Sequence, residues 1–277
     1  MKTMYYLSLL FFMLLFTLII PPEAYPAGDN YPAGARQAGM SNASIMMSDL
    51  WTGCYHNQAG LAQISHISAG FHYENQFFIP ENAFRAMAVA VPTKSGTLGL
   101  DFSSFGYSKY NENKVGLAFG RSFSKKFSTG IQLDYFYYHI AEDYGNVGVV
   151  TVEAGILSEP VKNLFWGLHI FNPVRAKIGK TGEEMPLVFR AGLGYNFSGK
   201  AFASIETEKD NRYKPVFKAG FEYCLVKNIY LRSGISSETS GYSFGLGCLM
   251  KKIKADIAFT HHQILGFTPH FTMSCEF

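Results

Sequence analysis

The chain carries little charge for its length. Asp, Glu, Lys and Arg make up 16% of its 277 residues, against about a quarter in ordinary soluble domains. This composition provides too few ionic side chains to cover a water-facing surface, which argues against an ordinary soluble protein. The net charge is only +3 and no cluster of Lys and Arg forms a basic stripe, so we expect no nucleic-acid partner.

Motifs for catalysis and metal binding are also missing. The four cysteines stand far apart, without the paired spacing of a zinc or redox site. They are Cys54, Cys224, Cys248 and Cys275. We interpret them as small apolar residues within strands. No hydrolase or phosphate-binding motif is present, so the sequence predicts a protein that is not an enzyme and needs no cofactor.

Only one long apolar run exists, at the start of the chain. Lys2 is followed by the uncharged residues 5–20 and then by Pro21 and Pro22. This pattern is typical of a secretory signal peptide, which we expect to occupy residues 1–24. A retained membrane anchor is the alternative, but the run is short for a spanning helix. Because no later run can cross a bilayer as a helix, a membrane-bound mature chain must be a barrel.

The sequence is rich in aromatic residues, glycine and alternating polarity. Phe, Trp and Tyr make up 16% of the chain, which also has 27 glycines. From Ile64 onward, apolar and polar residues alternate with period two between short polar turns, as strands do. Windows of about ten residues can cross a bilayer as tilted strands, and we predict about fourteen of them. They are 64–74, 83–92, 96–106, 113–122, 127–139, 147–157, 163–172, 186–196, 200–208, 214–224, 227–236, 241–249, 252–261 and 268–277.

The two faces of these strands differ consistently, although 83–92 and 200–208 are ambiguous. In 214–224 one face carries Phe217, Ala219, Phe221 and Tyr223, and the other carries Lys218, Gly220 and Glu222. A soluble β-sandwich alternates in the same way, so the pattern alone leaves open whether the apolar face meets a protein core or lipid.

Three further features favour lipid. The polar face is rich in Gly and poor in the residues that cover a soluble sheet. Tight connections such as 124–126 alternate with longer ones such as 172–185, as in barrels with one periplasmic end. The chain ends as an amphipathic strand with Phe277 last, which resembles the signal read by the outer-membrane assembly machinery. We therefore predict an all-β fold, a closed antiparallel transmembrane β-barrel of residues 64–277, integral to the outer membrane and surrounded by its lipid.

Residues 25–63 lack both alternation and a sustained helical stripe. They contain Gly34, Gly39, Gly53 and Gly60, and they read as a compact irregular segment. One short helix is expected near residues 42–50, capped by Asn42 or Ser41.

Several stretches resemble a known family. Residues 34–41 (GARQAGMS) and 57–62 (NQAGLA) resemble the start of FadL-like barrels, in particular the PorV/PorQ branch found in Bacteroidetes. Residues 219–223, 230–234 and 245–247 resemble the closing strands of that branch. The resemblance implies a fourteen-stranded barrel with residues 25–63 folded inside as a plug. Within such a plug, Arg36, Asn57 and Gly60 are expected to be structural anchors.

The resemblance also implies a role. A PorV/PorQ-type barrel would dock secretion-system proteins in type IX secretion or surface attachment. The alternative is FadL-like passive transport of hydrophobic or small molecules with the plug as gate, and the third possibility is a purely structural barrel.

The sequence departs from the pattern of these families at two places. Gln58 stands where the family usually has Pro, and the longest connection, 172–185, is short for the capture groove of fatty-acid transporters.

Charged residues on the polar face are expected to line the lumen. They are Arg190, Glu206, Lys218, Glu222, Arg232 and Asp256. Because unpaired charges in a confined interior are costly, we predict a paired ladder that fixes strands and plug. A selectivity lining for a small solute is the alternative interpretation.

Three histidines are weak metal candidates. Pairing of the last strand with the first would bring His72 and His270 together, with His262 one strand away. Isolated polar side chains near the mouth are the stronger interpretation, so we predict no metal site.

Overall fold

The structure, a computed structural model, describes residues 30–141, 145–179, 182–237 and 241–277. The predicted signal peptide lies outside these residues. No helix among the described residues is long and apolar enough to cross a membrane.

The described chain contains sixteen strands, and fourteen of them form one closed barrel. They are β1 Ser68–Asn75, β2 Ala83–Thr93, β3 Gly96–Tyr107, β4 Tyr110–Ser124, β5 Phe127–Ile140, β6 Gly145–Val161, β7 Leu164–Phe171, β8 Lys177–Ile178, β9 Glu183–Glu184, β10 Val188–Asn196, β11 Ala201–Asp210, β12 Val216–Val226, β13 Ile229–Ser236, β14 Gly241–Met250, β15 Ile253–His262 and β16 Gly266–Glu276. The short β8 and β9 pair with each other in the connection between β7 and β10.

Each barrel strand pairs antiparallel with its neighbour, and β1 pairs with β16 to close the wall. The predicted fold class is therefore confirmed. The fourteen predicted windows correspond one to one with the barrel strands, with ends that differ by a few residues. Closure leaves the barrel sheet of the described residues without a free edge, which a wall in contact with hydrocarbon requires because lipid cannot hydrogen-bond to an unpaired backbone.

The outer face of the wall is apolar and exposed. Phe221 in the middle of β12 exposes 42% of its surface, whereas the next residue, Glu222, exposes 7%. The same contrast separates Ile131 at 63% from Gln132 at 2% on β5. Bulky apolar side chains remain exposed on twelve of the fourteen barrel strands, all but β1 and β7, and they form a surface suited to lipid.

The ambiguity of 83–92 has a simple cause. On β2 the inward positions carry Ala86, Ala88 and Ala90, which are buried, while Met87 and Val89 point outward. Within residues 86–91 both faces are apolar and differ only in size, so polarity could not separate them.

The two rims of the barrel differ in their connections. At one rim the strands join through tight turns, such as those between β4 and β5 and between β12 and β13. At the other rim the connections are longer except for the two-residue turn between β3 and β4, and the longest joins β7 to β10 through residues 172–187. We call these the tight-turn rim and the long-loop rim.

Residues 30–63 lie inside the barrel, and we call them the plug. They form helix α1 (Ala35–Ala38), helix α2 (Leu50–Tyr55) and a 3-10 helix, Gln58–Gln63. Only Ser48 and Gln63 of the plug are exposed. The plug contacts β1 to β6 through α2 and the 3-10 helix, and β14 to β16 through α1.

The predicted helix at residues 42–50 is wrong. Ser41 and Asn42 have φ angles of 52° and 59°, in the left-handed region that a right-handed helix excludes. Helix α2 begins after Asp49 instead, whose carboxylate accepts the backbone N–H of Thr52 at 2.8 Å. Asp49 is an effective N-cap. The predicted caps, Ser41 and Asn42, lie outside this helix.

Candidate functional site

Inward-facing glycines make room for the plug. A Cβ added at Gly130 would overlap the backbone of Gln58, and one added at Gly167 would lie 2.6 Å from the carbonyl oxygen of Ile45. The same holds around the wall, where an added Cβ would come within 3.3 Å of a plug atom at Gly70, Gly99, Gly120, Gly155, Gly192, Gly194, Gly220, Gly234 and Gly245. These eleven positions form the glycine belt, and they explain why the polar face is rich in glycine.

Arg36 is the ionic anchor of the plug. Its Nε and Nη2 donate to the two carboxylate oxygens of Glu222 at 2.9 and 2.6 Å, and its Nη1 donates to Asp49 at 2.8 Å. Glu222 also accepts from Nε of Arg232 at 2.6 Å, and Nη1 of Arg232 lies 2.8 Å from Asp256. We call these five residues the anchor cluster. It joins the plug to β12, β13 and β15.

The plug members of the anchor cluster are charged at neutral pH. Burial disfavours the charge on Arg36, but Glu222 and Asp49 outweigh it and raise the pKa of Arg36 above its usual value. Burial likewise opposes ionisation of Asp49, but Arg36 lowers its pKa to about 2. A bidentate pair of Arg with carboxylate is strong and directional, so it sets the position of α1 against the wall.

The predicted lumen ladder divides into separate groups rather than one series of pairs. Arg190 and Lys218 both bond to Glu208, each at 2.7 Å. Glu206 lies opposite Lys218 in register, but its carboxylate accepts the backbone N–H groups of residues 44 and 45 at 2.8 and 3.1 Å. Glu206 was expected to pair with another charged residue of the lumen. This expectation is corrected, because the plug backbone supplies the hydrogen-bond donors to its carboxylate.

Asn57 and Gly60 lie where the plug folds back on itself. Asn57 donates from Nδ2 to the carbonyl oxygens of Ile45 and Ile156 at 2.7 and 3.0 Å, and its Oδ1 accepts the N–H of Ala59 at 3.1 Å. A Cβ on Gly60 would lie 2.9 Å from the carbonyl oxygen of Met47. Both residues therefore hold two segments of the plug together, and Asn57 also binds β6.

Gln58 makes a contact that a proline could not make. It begins the 3-10 helix, where proline is also compatible with the backbone. Its Nε2 donates to Glu153 at 2.7 Å and to Gln132 at 3.3 Å. The departure from the family pattern at this position therefore provides a hydrogen bond between plug and wall.

A second charged cluster, which was not predicted from the sequence, surrounds Lys114. Nζ of Lys114 lies 3.4 Å from Asp101, 3.6 Å from Asp134 and 3.7 Å from Glu153, and 4.9 Å from the ring centre of Tyr55 in the plug. All four charged residues occupy inward positions on the consecutive strands β3 to β6. Their shared inward position on neighbouring strands is the signal that could have identified the cluster.

An open vestibule lies between the plug and the long-loop rim. It is a cavity of about 870 Å³. Its floor is formed by plug residues that include Tyr31 and His56, and one wall carries Phe105. The Tyr31 ring stacks on Phe105 with centres 4.7 Å apart. The opposite wall carries Arg190 and Lys218, so the vestibule has an aromatic side and a charged side.

His56 in the vestibule floor is neutral. Burial lowers the pKa of His56 to about 3. Its Nε2 lies 2.9 Å from the carbonyl oxygen of Ala33, so this nitrogen carries the proton and donates. Its Nδ1 then accepts from the hydroxyl of Ser44 at 3.0 Å. A neutral imidazole that bridges two plug segments is a structural brace.

The three candidate histidines are not all brought together. His72 and His270 face each other across the β1–β16 pairing, with ring centres 6.0 Å apart, and both lie close to Glu74. His262 stands apart at the long-loop rim, where its Nδ1 accepts the N–H groups of Ile264 and Leu265 at 3.1 Å each. It lies one strand away from His270, as predicted, but its ring caps the β15–β16 turn, so the three imidazoles do not form one group.

No protein-family model matches the chain, and no curated protein matches its sequence. Solved structures do match. The CymD monoaromatic hydrocarbon channel gives a TM-score of 0.68 at 12% identity, covering 91% of this chain and 99% of that one. The P. putida toluene transporter TodX gives 0.64 at 11% identity, covering 90% and 99%. A Pseudomonas aeruginosa FadL homologue gives 0.63 at 11% identity, with the same coverage.

These likenesses establish the fold. The chain has the closed fourteen-strand architecture of FadL-like outer-membrane barrels. With its unbroken wall and apolar exterior, it is an integral outer-membrane barrel.

Proposed function

We propose that this barrel is a passive outer-membrane channel for small hydrophobic molecules, with the plug as its gate. The vestibule is the observation that carries the proposal. A cavity of about 870 Å³ falls within the size range of small-molecule sites. It opens at the long-loop rim, and in its floor the ring of the plug residue Tyr31 stacks on Phe105 of the wall.

The arrangement favours capture followed by gating. An apolar solute that enters the vestibule would leave water by covering the rings of Tyr31 and Phe105, which is favourable in proportion to the area removed from water. Beyond this point the glycine belt and the plug fill the lumen, so passage requires part of the plug to move. Two of the named neighbours are a monoaromatic hydrocarbon channel and a toluene transporter, which supports the transport proposal.

Protein docking in type IX secretion or surface attachment is the second candidate. The observation in its favour is the shortness of the connections at the long-loop rim, which leaves a compact outer surface. The PorV/PorQ resemblance on which it depends concerns sequence motifs, whereas the named structural neighbours include a monoaromatic hydrocarbon channel and a toluene transporter. Transport is therefore the better supported function.

A disulfide that locks the plug tests the channel and its gate together. The hydroxyl oxygens of Ser41 in the plug and Ser243 on β14 lie 2.9 Å apart, so Ser41→Cys with Ser243→Cys places two sulfurs within bonding reach. Uptake of radiolabelled toluene would be measured in Gram-negative cells that lack their own barrels of this fold. The single variant Ser243→Cys is the matched control.

Wild type and the single variant should accumulate toluene faster than cells without the barrel. The oxidised double variant should lose this advantage, and a reducing agent should restore it. Uptake equal to that of cells without the barrel would contradict the channel. Full uptake through the oxidised double variant would contradict only the gating role of the plug.

A further inference from the structure

Three potential metal ligands meet where the barrel closes. His72 and Glu74 are two residues apart on β1, so both face inward. His270 on β16 lies directly opposite Glu74 in register. One ligand atom from each of the three lies within 4.8 Å of the other two. Glu74 and His270 also line the vestibule, so solutes that enter there can reach the group.

Each histidine is held by a hydroxyl group on its far side. Nδ1 of His72 lies 2.8 Å from Oγ1 of Thr272, and Nε2 of His270 lies 3.0 Å from Oγ1 of Thr260. Such partners orient the ring and fix which nitrogen carries the proton in metal sites. The second nitrogen of each ring is thereby directed at Glu74.

These directed nitrogens are unsatisfied apart from Glu74. Nε2 of His72 and Nδ1 of His270 lie 3.7 and 3.2 Å from Oε2 of Glu74, and neither forms a hydrogen bond to another described residue. His72 is fully buried and His270 exposes only 7% of its surface. Buried polar atoms without partners are costly, and an ion bound between the three groups would satisfy all of them.

We propose that His72, Glu74 and His270 bind one divalent transition-metal ion of the Zn²⁺ type. Two imidazoles and one carboxylate are a common zinc ligand set, with ligand atoms about 2.0 to 2.2 Å from the ion. Small side-chain movements bring the three ligand atoms to that distance. The set contains only one carboxylate, so it disfavours Mg²⁺ and Ca²⁺, which require oxygen ligands. Because Glu74 and His270 line the vestibule, a further ligand could reach the ion from there.

The ion would join the closing strands to the plug. It bridges β1 and β16 through side chains, in addition to their backbone pairing. Oγ1 of Thr272, which contacts His72, also accepts the N–H of Ala35 at 2.7 Å. With its second lone pair, the same oxygen can accept Nδ1–H of His72, which leaves Nε2 free to bind the ion. Metal binding therefore favours the arrangement in which α1 of the plug is docked. This proposal does not depend on transport.

Zn²⁺ titration of the tag-free, chelator-treated full-length barrel in detergent tests the proposal. Isothermal calorimetry should show one strong site per chain, unaffected by excess Mg²⁺. His270→Gln and Glu74→Gln should each weaken binding by at least about tenfold. His262→Gln is the matched control and should bind as wild type does. A heat-modifiable shift on a gel confirms that each variant is folded.

A measurement on the wild-type chain covers the case in which a variant does not fold. Zn²⁺ should protect His270, but not His262, from carbethoxylation mapped by mass spectrometry. The absence of a strong site in the folded wild-type barrel would overturn the proposal. Folded His270→Gln and Glu74→Gln variants that bind as tightly as wild type would overturn it equally.

Discussion

The outer and inner faces of the barrel wall follow different rules, and three consecutive residues of β12 show both. Phe221 points outward, with 42% of its surface exposed. Gly220 points inward, and a Cβ there would lie 2.7 Å from Cβ of Met40 in the plug. Glu222 also points inward and binds Arg36. The outer face thus carries one property, apolarity, whereas these two inner positions each match one particular plug residue.

This difference shows what each face tolerates. Lipid is a uniform solvent, so one bulky apolar side chain can replace another on the outer face at small cost. The plug is a specific partner, so an inner residue is constrained in size, charge and hydrogen bonding together. We therefore expect inner substitutions to be sensitive to chemical detail and outer substitutions to respond mainly to polarity.

The largest effect is expected at the centre of the anchor cluster. Glu222→Gln removes the negative charge shared by Arg36 and Arg232 and leaves two largely buried guanidinium groups short of a counter-charge. Loss of one partner from a buried ion pair costs about 3 to 5 kcal/mol, and we expect the free energy of unfolding to fall by about that amount. Urea unfolding in lipid vesicles measures it. Glu276→Gln, at an exposed position, is the control, and equal losses in both variants would refute the anchoring role.

A charge on the outer face should have the next largest effect. Phe221→Arg places a cation against hydrocarbon, which costs about 2 to 4 kcal/mol near the bilayer midplane. Phe221→Leu keeps the face apolar and serves as the control. The measurement is the same vesicle unfolding experiment. If the Arg variant inserts and unfolds as the Leu variant does, lipid does not cover this face.

Substitutions in the glycine belt should show that the cost of an added Cβ depends on whether it meets plug backbone or a flexible side chain. Gly130→Ala forces its Cβ against plug backbone at Gln58, whereas Gly192→Ala meets the flexible end of Met46, whose Cε lies 2.5 Å away. Overpacking of this kind costs about 1 to 3 kcal/mol, and we expect Gly130→Ala to lie at the upper end and Gly192→Ala at the lower. Protease susceptibility of the plug measures the difference. The reverse order would argue against the position assigned to Gln58.

The smallest effect is expected at the vestibule wall, where charges pair away from the plug. A double-mutant cycle with Lys218→Met and Glu208→Gln should give a coupling energy of about 1 kcal/mol, within the range found for residues in contact. The cycle of Lys218→Met with Glu206→Gln should give less, because Glu206 binds plug backbone. Both couplings follow from the free energies of unfolding of the single and double variants. A larger coupling to Glu206 than to Glu208 would contradict the observed pairing.

The strands were predictable from the sequence and the plug contacts were not. Fourteen windows emerged because Phe217, Phe221 and their counterparts repeat with period two, a pattern visible without any knowledge of tertiary structure. The ambiguous window 83–92 marks the limit of that signal, because its inward residues are small and apolar. They pack against helix α2 of the plug. The alternation of residues along a strand does not reveal that contact.

The candidate residues were found more readily than their partners. Arg36, Glu222, Arg232 and Asp256 were all singled out, but Asp49, which completes the anchor cluster, was not. Lys218 was placed in the predicted ladder with Glu206 and Glu222, but its observed partner, Glu208, was not singled out. Ion pairs depend on side-chain reach and on competing plug donors, neither of which can be read from spacing.

The sequence by itself determined the outer face, the number of strands and the closed wall. It could do so because hydrocarbon makes the same demand of every strand, and that demand is recorded locally as alternation. Only the tertiary structure decided which glycines admit the plug, which charges meet, and that His72, Glu74 and His270 converge. Each of those depends on atoms from distant parts of the chain, whose distances are defined only once the first strand pairs with the last.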